Sequence, residues 1–496
     1  MKKILLFLSL LFTTTLFSQV QIGSNIDGEA ALDFSGWSLS LSSNGSIVAI
    51  GAVGNDGNGS GSGHVRVYEN VGGIWTQIGS DIDGEAIADR SGVSLSLSSN
   101  GKIVAIGAER NDGNGTISGH VRVYENIGGV WTQVGSDIDG EAAEDQSGFS
   151  VSMSSDGSNV AIGAYENNTT ASGVGAGEGR AGHVRVYENI SGVWTQIGSD
   201  IDGEDHRDSS GINVSLSSEG SIVAIGANRN DGNGNQSGHV RVYENIGGVW
   251  SQIGSDIDGE TAEDQSGWEI SLSDDGTIVA IGAQYNDGNG INSGHVRVYE
   301  NIGGVWIQIG SDIDGEAAGD LQFHVSLSGD GSIVAIGAES NDGNGNGAGH
   351  VRIYKNIAGT WTQIGSDING EATGDGLGFS VSLSSDGNIV AAGAPGNDNN
   401  GSSSGHVRVF DLSSILSLDS FVLKNTSIYP NPTNKEFTVH LGGNIQFKKL
   451  SVYNTLGKYI LESYDKEVNI ENLSKGLYFV KIISNQGKSI KKLVVN

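Results

Sequence analysis

An all-β fold, a seven-bladed β-propeller followed by a small immunoglobulin-like β-sandwich, is what this chain of 496 residues predicts. Three observations predict it: a unit of about 56 residues repeated seven times, four strand-like segments within each unit, and a unit boundary displaced so that the two ends of the array complement one another. With 79 Gly, 3 Pro and no Cys, the composition favours short strands and tight turns, and it excludes disulfides and thiolate chemistry.

The period is set by G-H-V-R-V-Y and its variants, with His at 64, 120, 183, 239, 295, 350 and 406. Periods of this size mark solenoids, propellers or arrays, whose units bury apolar faces only against neighbours. In the third copy, strands are expected at Phe149 to Ser154, Asn159 to Gly163, His183 to Glu188 and Val193 to Ile197. The first alternates polar and apolar residues, whereas the second, V-A-I-G-A, is apolar enough for burial on both faces. Asp156-Gly157 supplies the turn between them. Four antiparallel strands make one propeller blade.

Closure follows from the permuted ends. Six units finish with a strand opening at Trp75, Trp131, Trp194, Trp250, Trp306 or Trp361, but the seventh stops at Phe410 and Asp411. Gln21-Ile22-Gly23-Ser24 matches Gln77-Ile78-Gly79-Ser80, so the N-terminal segment is expected to complete the last blade and hide its edge.

The order D-x-S-G-F-S-V-S, V-A-I-G-A, G-H-V-R-V-Y resembles the FG-GAP repeats of integrin-like propellers over residues 21–411, with Asp145, Gly148 and Phe149 at one signature step and Ile162-Gly163-Ala164 at the other. That resemblance implies calcium in a long acidic loop between the first two strands, where this chain has only a Ser-Ser-Asp-Gly turn. Acids gather elsewhere, in the blade-to-blade loops: Asp81, Asp83 and Glu85, then Asp137, Asp139 and Glu141. Calcium takes six to eight hard oxygens, and these loops are its candidate sites. The same residue types also punctuate turns, so a structural role stands beside it. These loops share a face with the N-D-G-N-G loops, leaving Ser, Gly and Asn for the opposite face.

Residues that break the repeat are the candidates for ligand binding. Where other units carry Ser38, Ser94, Ser150 and Ser380 near the axis, three consecutive units carry Asn213, Glu269 and His324. The third unit replaces its N-D-G-N-G loop by a longer segment, Asn167 to Arg180. The constant His and Arg, seven copies round a ring, cannot converge on one centre and are read as structural. No nucleophile elbow, Walker loop or zinc spacing occurs, so no catalytic residues are assigned.

The ends are different in character. Lys2 and Lys3, an apolar run and a polar stretch to Ser18 have the order of a secretory signal peptide, 1–18. No later segment has the apolar length of a membrane span. Residues 417–496 hold 11 Lys against 6 acids, whereas residues 1–416 hold 16 basic residues against 52 acidic. The acidic part repels nucleic acid. After a linker, 412–423, residues 424–496 carry Tyr429-Pro430-Asn431-Pro432, then Asn454-Thr455-Leu456-Gly457-Lys458, Gly476-Leu477-Tyr478 and Lys491-Lys492-Leu493-Val494-Val495. This series resembles the type A sorting domain of the type IX secretion system, which implies a Bacteroidetes-type bacterium, the secretion machinery as partner, and release or attachment at the outer cell surface. Two functional classes follow: a surface binding or adhesion protein taking extracellular glycans or proteins, and a secreted enzyme acting on a polymer such as a polysaccharide. Repeat symmetry favours the first.

Overall fold

The computed structural model describes residues 19–168, 179–416, 425–442, 445–454, 458–484 and 487–496. The expected signal peptide lies outside them, as do residues 169–178 of the long loop. Two compact units are present, the larger spanning Val20–Asp411.

Seven antiparallel sheets form the larger unit. In the first blade the order runs Ser35–Leu41, Ile47–Ala52, His64–Val71 and Ile74–Gln77. The outer strand is broken in this blade, and Ile82–Asp83 pairs with the far end of His64–Val71. The break sits at Gly79, where φ is +74° and a Cβ would meet the Gly129 carbonyl and the Trp131 ring of the next blade. Trp131 Nε1 donates to the Ile78 carbonyl at 2.7 Å, and Trp75, Trp194, Trp250, Trp306 and Trp361 make the equivalent bond to the blade before. The tryptophans are therefore interblade struts, and the outer strand bends to receive them.

Blade packing needs the Gly of V-A-I-G-A. A Cβ on Gly163 would lie 2.0 Å from the Gly211 carbonyl of the following blade, so only Gly permits that approach. Around it the core repeats: Val160, Ala161 and Ile162 are fully buried between neighbouring sheets.

The ring closes. Val20 stands opposite Asp411, Gln21 opposite Phe410, Ile26 opposite Val407 and Asp27 opposite His406, so the N-terminal segment supplies the outer strand of the seventh sheet. Closure shows at the axis too, where the innermost strands of consecutive blades touch all the way round. Ser40, Ser96, Ser152, Ser215, Ser271, Ser326 and Ser382 each accept an amide N–H from an adjacent blade, ending with Leu41 N–H on Ser382 Oγ at 3.1 Å. At the turns below, a second ring of backbone bonds runs from Ser43 through Ser99, Ser155, Ser218, Asp274, Gly329 and Ser385 back to Ser43.

The smaller unit pairs a three-stranded sheet, Thr426–Tyr429, Glu436–Leu441 and Glu467–Asn469, with a four-stranded one, Tyr459–Ser463, Phe447–Asn454, Gly476–Ser484 and Gly487–Val495. Phe437, Leu450, Val452, Val480, Ile482 and Leu493 fill the space between them.

Candidate functional site at the axial mouth

Each innermost strand begins on the face that carries the long loops, and one side chain near that end faces the next blade. In four blades that residue is Ser, and its hydroxyl closes the seam: Ser38 donates to the Gly92 carbonyl at 2.7 Å, and Ser94, Ser150 and Ser380 do likewise. In the other three the seam is bridged by larger groups that bond one another. Asn213 Nδ2 donates to Glu269 Oε2 at 2.6 Å, and His324 lies with Nδ1 3.6 Å from Glu269 Oε1. Its Nε2 is 3.3 Å from Glu339 Oε2. Asn213, Glu269 and His324 thus form one cluster. Sequence reading missed Glu339, which enters from the end of a second strand.

Burial alone would pull the His324 imidazole below its ordinary value, but hydrogen bonds and charge from Glu269 and Glu339 outweigh it and lift the ring to about 9. It is an imidazolium at neutral pH, packed 4.1 Å from the Phe323 ring and 5.4 Å from Phe379.

The position of Glu339 also varies widely among the copies: Val53, Glu109, Tyr165, Asn228, Gln284, Glu339 and Pro395. Glu109 is buried and pairs with Arg90 at 2.9 Å; burial raises its carboxyl despite that charge. Arg90 in turn lies 5.2 Å over the Trp37 ring, and Trp37 packs 4.7 Å from Phe379. Tyr165 packs on Phe149 and donates to Gln146 Oε1, and burial pushes its hydroxyl up to about 12. Several residues that differ from copy to copy therefore stand round the axial mouth as rings and charges.

The long loop of the third blade is anchored conservatively. Asn167 is buried and is the third copy of Asn55, Asn111 and Asn230. Its amide reaches Asp145, as Asn111 reaches Asp89 at 3.0 Å. Arg180, half-exposed, pairs with Glu166 at 2.6 Å.

The acids of one blade-to-blade loop do not converge on a single ion. Asp81 faces His64 of its own blade, at 3.7 Å, while Glu85 faces His120 of the next, at 3.9 Å. Asp137 likewise faces His120, and Glu141 faces His183. Asp83 and Asp139 lie in the short outer segments, and their carbonyls accept from Arg122 and Arg185. Burial first and neighbouring acids second raise Asp83 and Asp139, whereas Glu85 and Glu141 are raised by burial against the pull of Arg122 and Arg185. The constant Arg is structural as expected: Arg122 meets Glu85 at 3.4 Å and lies 5.5 Å over Tyr124.

The opposite face is more acidic than expected. An open depression of about 770 Å³ is lined there by Asp274, Asp275, Asp330 and Asp386 among Ser, Asn and Gly. Asp275, Asp330 and Asp386 occupy turn positions where Asn44 and Asn100 stand in other copies, whereas Asp274 takes the place of Ser43 and Ser99, and its Oδ2 accepts the Ser385 hydroxyl.

In the smaller unit, Asn431 of the Tyr429-Pro430-Asn431-Pro432 turn donates to the Lys492 carbonyl and accepts from Val494 N–H, tying the turn to the last strand. Gly476 and Tyr478 lie on the adjacent strand, where Tyr478 pairs with Leu493. Lys491 and Lys492 stand opposite Val480 and Phe479.

Comparison with known proteins agrees with both units. A family described as the secretion system C-terminal sorting domain matches residues 427–496, and the FG-GAP repeat family matches residues 256–299. The ulvan lyase NLR42 of Nonlabens ulvanivorans is 34% identical over 90 residues, 17% of each chain. Among solved structures, the Pseudomonas aeruginosa periplasmic gluconolactonase PpgL is 14% identical with a TM-score of 0.45, over 87% of this chain and 95% of that one. Kuenenia stuttgartiensis hydrazine synthase is 12% identical with a TM-score of 0.47, over 75% and 94%. Among the described residues no helix is long and apolar enough to cross a membrane. The chain carries an FG-GAP repeat within its propeller and ends in a secretion system C-terminal sorting domain, the signal for type IX export to the cell surface or beyond.

Proposed function

We propose that the exported propeller is a surface binding module that takes an extracellular glycan at its axial mouth and does not turn it over. One observation carries the reading: in a chain of near-copies, residues that break the repeat form a connected group at the axial mouth, where Arg90 lies over Trp37, Trp37 packs on Phe379, and Phe379 packs on His324 between Glu269 and Glu339. Aromatic faces with a few placed polar groups suit a sugar ring, apolar on its C–H faces and polar at its edge. The competing reading, hydrolysis or elimination on a polymer, draws on the paired carboxylates Glu269 and Glu339. Both are already committed to the His324 imidazolium, which favours binding.

Titrating the mature chain with soluble polysaccharides tests this. Trp37→Ala is expected to weaken binding about 30-fold, the scale of a buried aromatic anchor worth roughly 2 kcal/mol. Binding indifferent to Trp37→Ala and Glu269→Gln, or release of shortened chains from the polymer, would sink it.

Export is separable from folding. Deleting Lys475 to Asn496 removes two strands of the smaller unit, with Tyr478, Val480, Ile482, Leu493 and Val495 of its core, and leaves the Val20–Asp411 unit intact. The truncated protein is expected to accumulate folded in the periplasm. Its appearance on the cell surface would count against the terminal strands as the signal.

A further inference from the structure

The constant histidines hold a second kind of site. His64 is 1% exposed, and its Nδ1 has no hydrogen-bond partner in the protein, yet it lies 3.7 Å from Asp81 Oδ2 and 4.0 Å from Glu29 Oε2. Each carboxylate has its other oxygen engaged: Asp81 Oδ1 accepts from Gln77 Nε2 at 2.6 Å, and Glu29 Oε1 faces Arg66 at 3.6 Å. A buried imidazole nitrogen and one oxygen from each of two carboxylates therefore converge with no hydrogen bond among them. The grouping recurs as Glu85, His120 and Asp137, as Glu141, His183 and Asp200, as Glu204, His239 and Asp256, and as Glu260, His295 and Asp312, with the three atoms within 4.8 Å in every case.

The seventh blade is the internal control. Where six copies carry Asp, the segment that closes the ring carries Asn25. Its amide nitrogen lies 3.3 Å from His406 Nδ1 and 3.0 Å from Glu371 Oε2, filling with a donor the space that the other copies leave between acceptors. The same His and Glu are thus satisfied there by one neutral amide donor.

We infer that these seams bind divalent first-row transition ions, one per Glu-His-Asp group, with His Nδ1, one Glu oxygen and one Asp oxygen as protein ligands. Imidazole nitrogen with two carboxylate oxygens suits zinc, cobalt or manganese better than calcium, which prefers an all-oxygen shell. Metal–ligand distances of about 2.0–2.2 Å require nitrogen–oxygen separations of roughly 3.0–3.6 Å at tetrahedral or octahedral angles. In the His64 and His183 groups the 3.7–4.0 Å separations need the carboxylates to move inward by a few tenths of an ångström. They can, because Glu29 and Asp81 are 46% and 30% exposed while the His is fixed. Arg66 keeps its contact with the other Glu29 oxygen, and each buried imidazole, held well below its ordinary value by burial and by its neighbouring Arg, is neutral and able to ligate at pH 7.

Equilibrium dialysis of the tag-free, chelator-treated full chain against micromolar zinc or cobalt, with metal analysis of the retained protein, tests the sites. At least five ions per chain are expected, one for each named group. Asp137→Asn copies what the seventh blade already carries, so it is expected to fold as the parent does and to retain one ion fewer. His120→Asn is expected to lose the same single ion. No retained metal, an unchanged stoichiometry in a folded Asp137→Asn protein, or displacement of zinc by an equal concentration of calcium would each overturn the inference.

Discussion

A chain lacking residues 19–27 is expected to lose cooperative unfolding of the propeller or to melt far below the parent. Those residues are the outer strand of the seventh blade. Ile26 is buried against Val407 and Val409, Ile22 N–H bonds the Val409 carbonyl, and Gln21 Oε1 accepts two bonds from Arg408. Two further links reach the first blade, since Trp75 Nε1 donates to Ile22 and Arg66 donates to the Asp27 carbonyl. Removing one buried Ile costs about 2–5 kcal/mol, and the lost ladder and two interblade links raise the total to the order of the whole stability of a domain. The strand His406–Asp411 would also become an open edge, a template for aggregation. Thermal melts with light scattering measure both effects. A truncated chain that melts at the parent's temperature would show that a three-stranded seventh blade suffices, and that closure is carried by the innermost strands alone.

Most of this architecture is legible because the repeat is so exact in residue type. Ala161 and Gly163 recur where sheets meet, and the one displaced segment, Gln21 to Ser24, announces the closure. The broken outer strand is not legible, because Gly79 reads as an ordinary turn residue until Trp131 of the next blade is seen to occupy its empty side. The axial cluster is half legible. Asn213, Glu269 and His324 interrupt a run of Ser and stand out, whereas Glu339 sits 15 residues from His324 just past the neighbouring strand, at a position that varies widely among the copies. The acidic loops mislead in a definite way. Asp81 and Glu85 lie four residues apart and suggest one cluster, but the chain crosses from one blade to the next between them, so each belongs to a different histidine. Asn25 is a single change in a repeat, and only its contact with His406 gives it meaning.

Those histidines also set the response to acid, and the expected result is loss of the folded propeller between pH 6 and 4 in chelator-treated protein. Burial first, and the adjacent Arg second, hold His64, His120, His183, His239, His295 and His350 at about 4, from an ordinary value of 6.5. A group depressed on folding stabilises the native state above its unfolded value, and that stability drains away as pH falls toward the folded value, because only the unfolded chain takes up the proton. Each such His removes roughly 1 kcal/mol per pH unit in that window. Six acting together match the stability of a typical domain within one or two units. Two effects oppose the loss. Glu29, Glu85, Glu141, Glu204 and Glu260, with Asp83, Asp139, Asp202, Asp258 and Asp314, are raised by burial, so their protonation favours the fold as pH falls from the raised value to the ordinary carboxylate value, which offsets part of the loss at the acid end of the histidine window. His324, lifted to about 9 by Glu269 and Glu339, adds stability that is full below 6.5 and lost as pH rises through 9, yet it is one group against six. Melting temperature followed by circular dichroism is therefore expected to fall steeply below pH 6.5, and His183→Asn is expected to flatten the slope by about one part in six. A melting temperature that holds level or rises down to pH 4.5 would mean that the carboxylates, not the buried imidazoles, govern the acid limb.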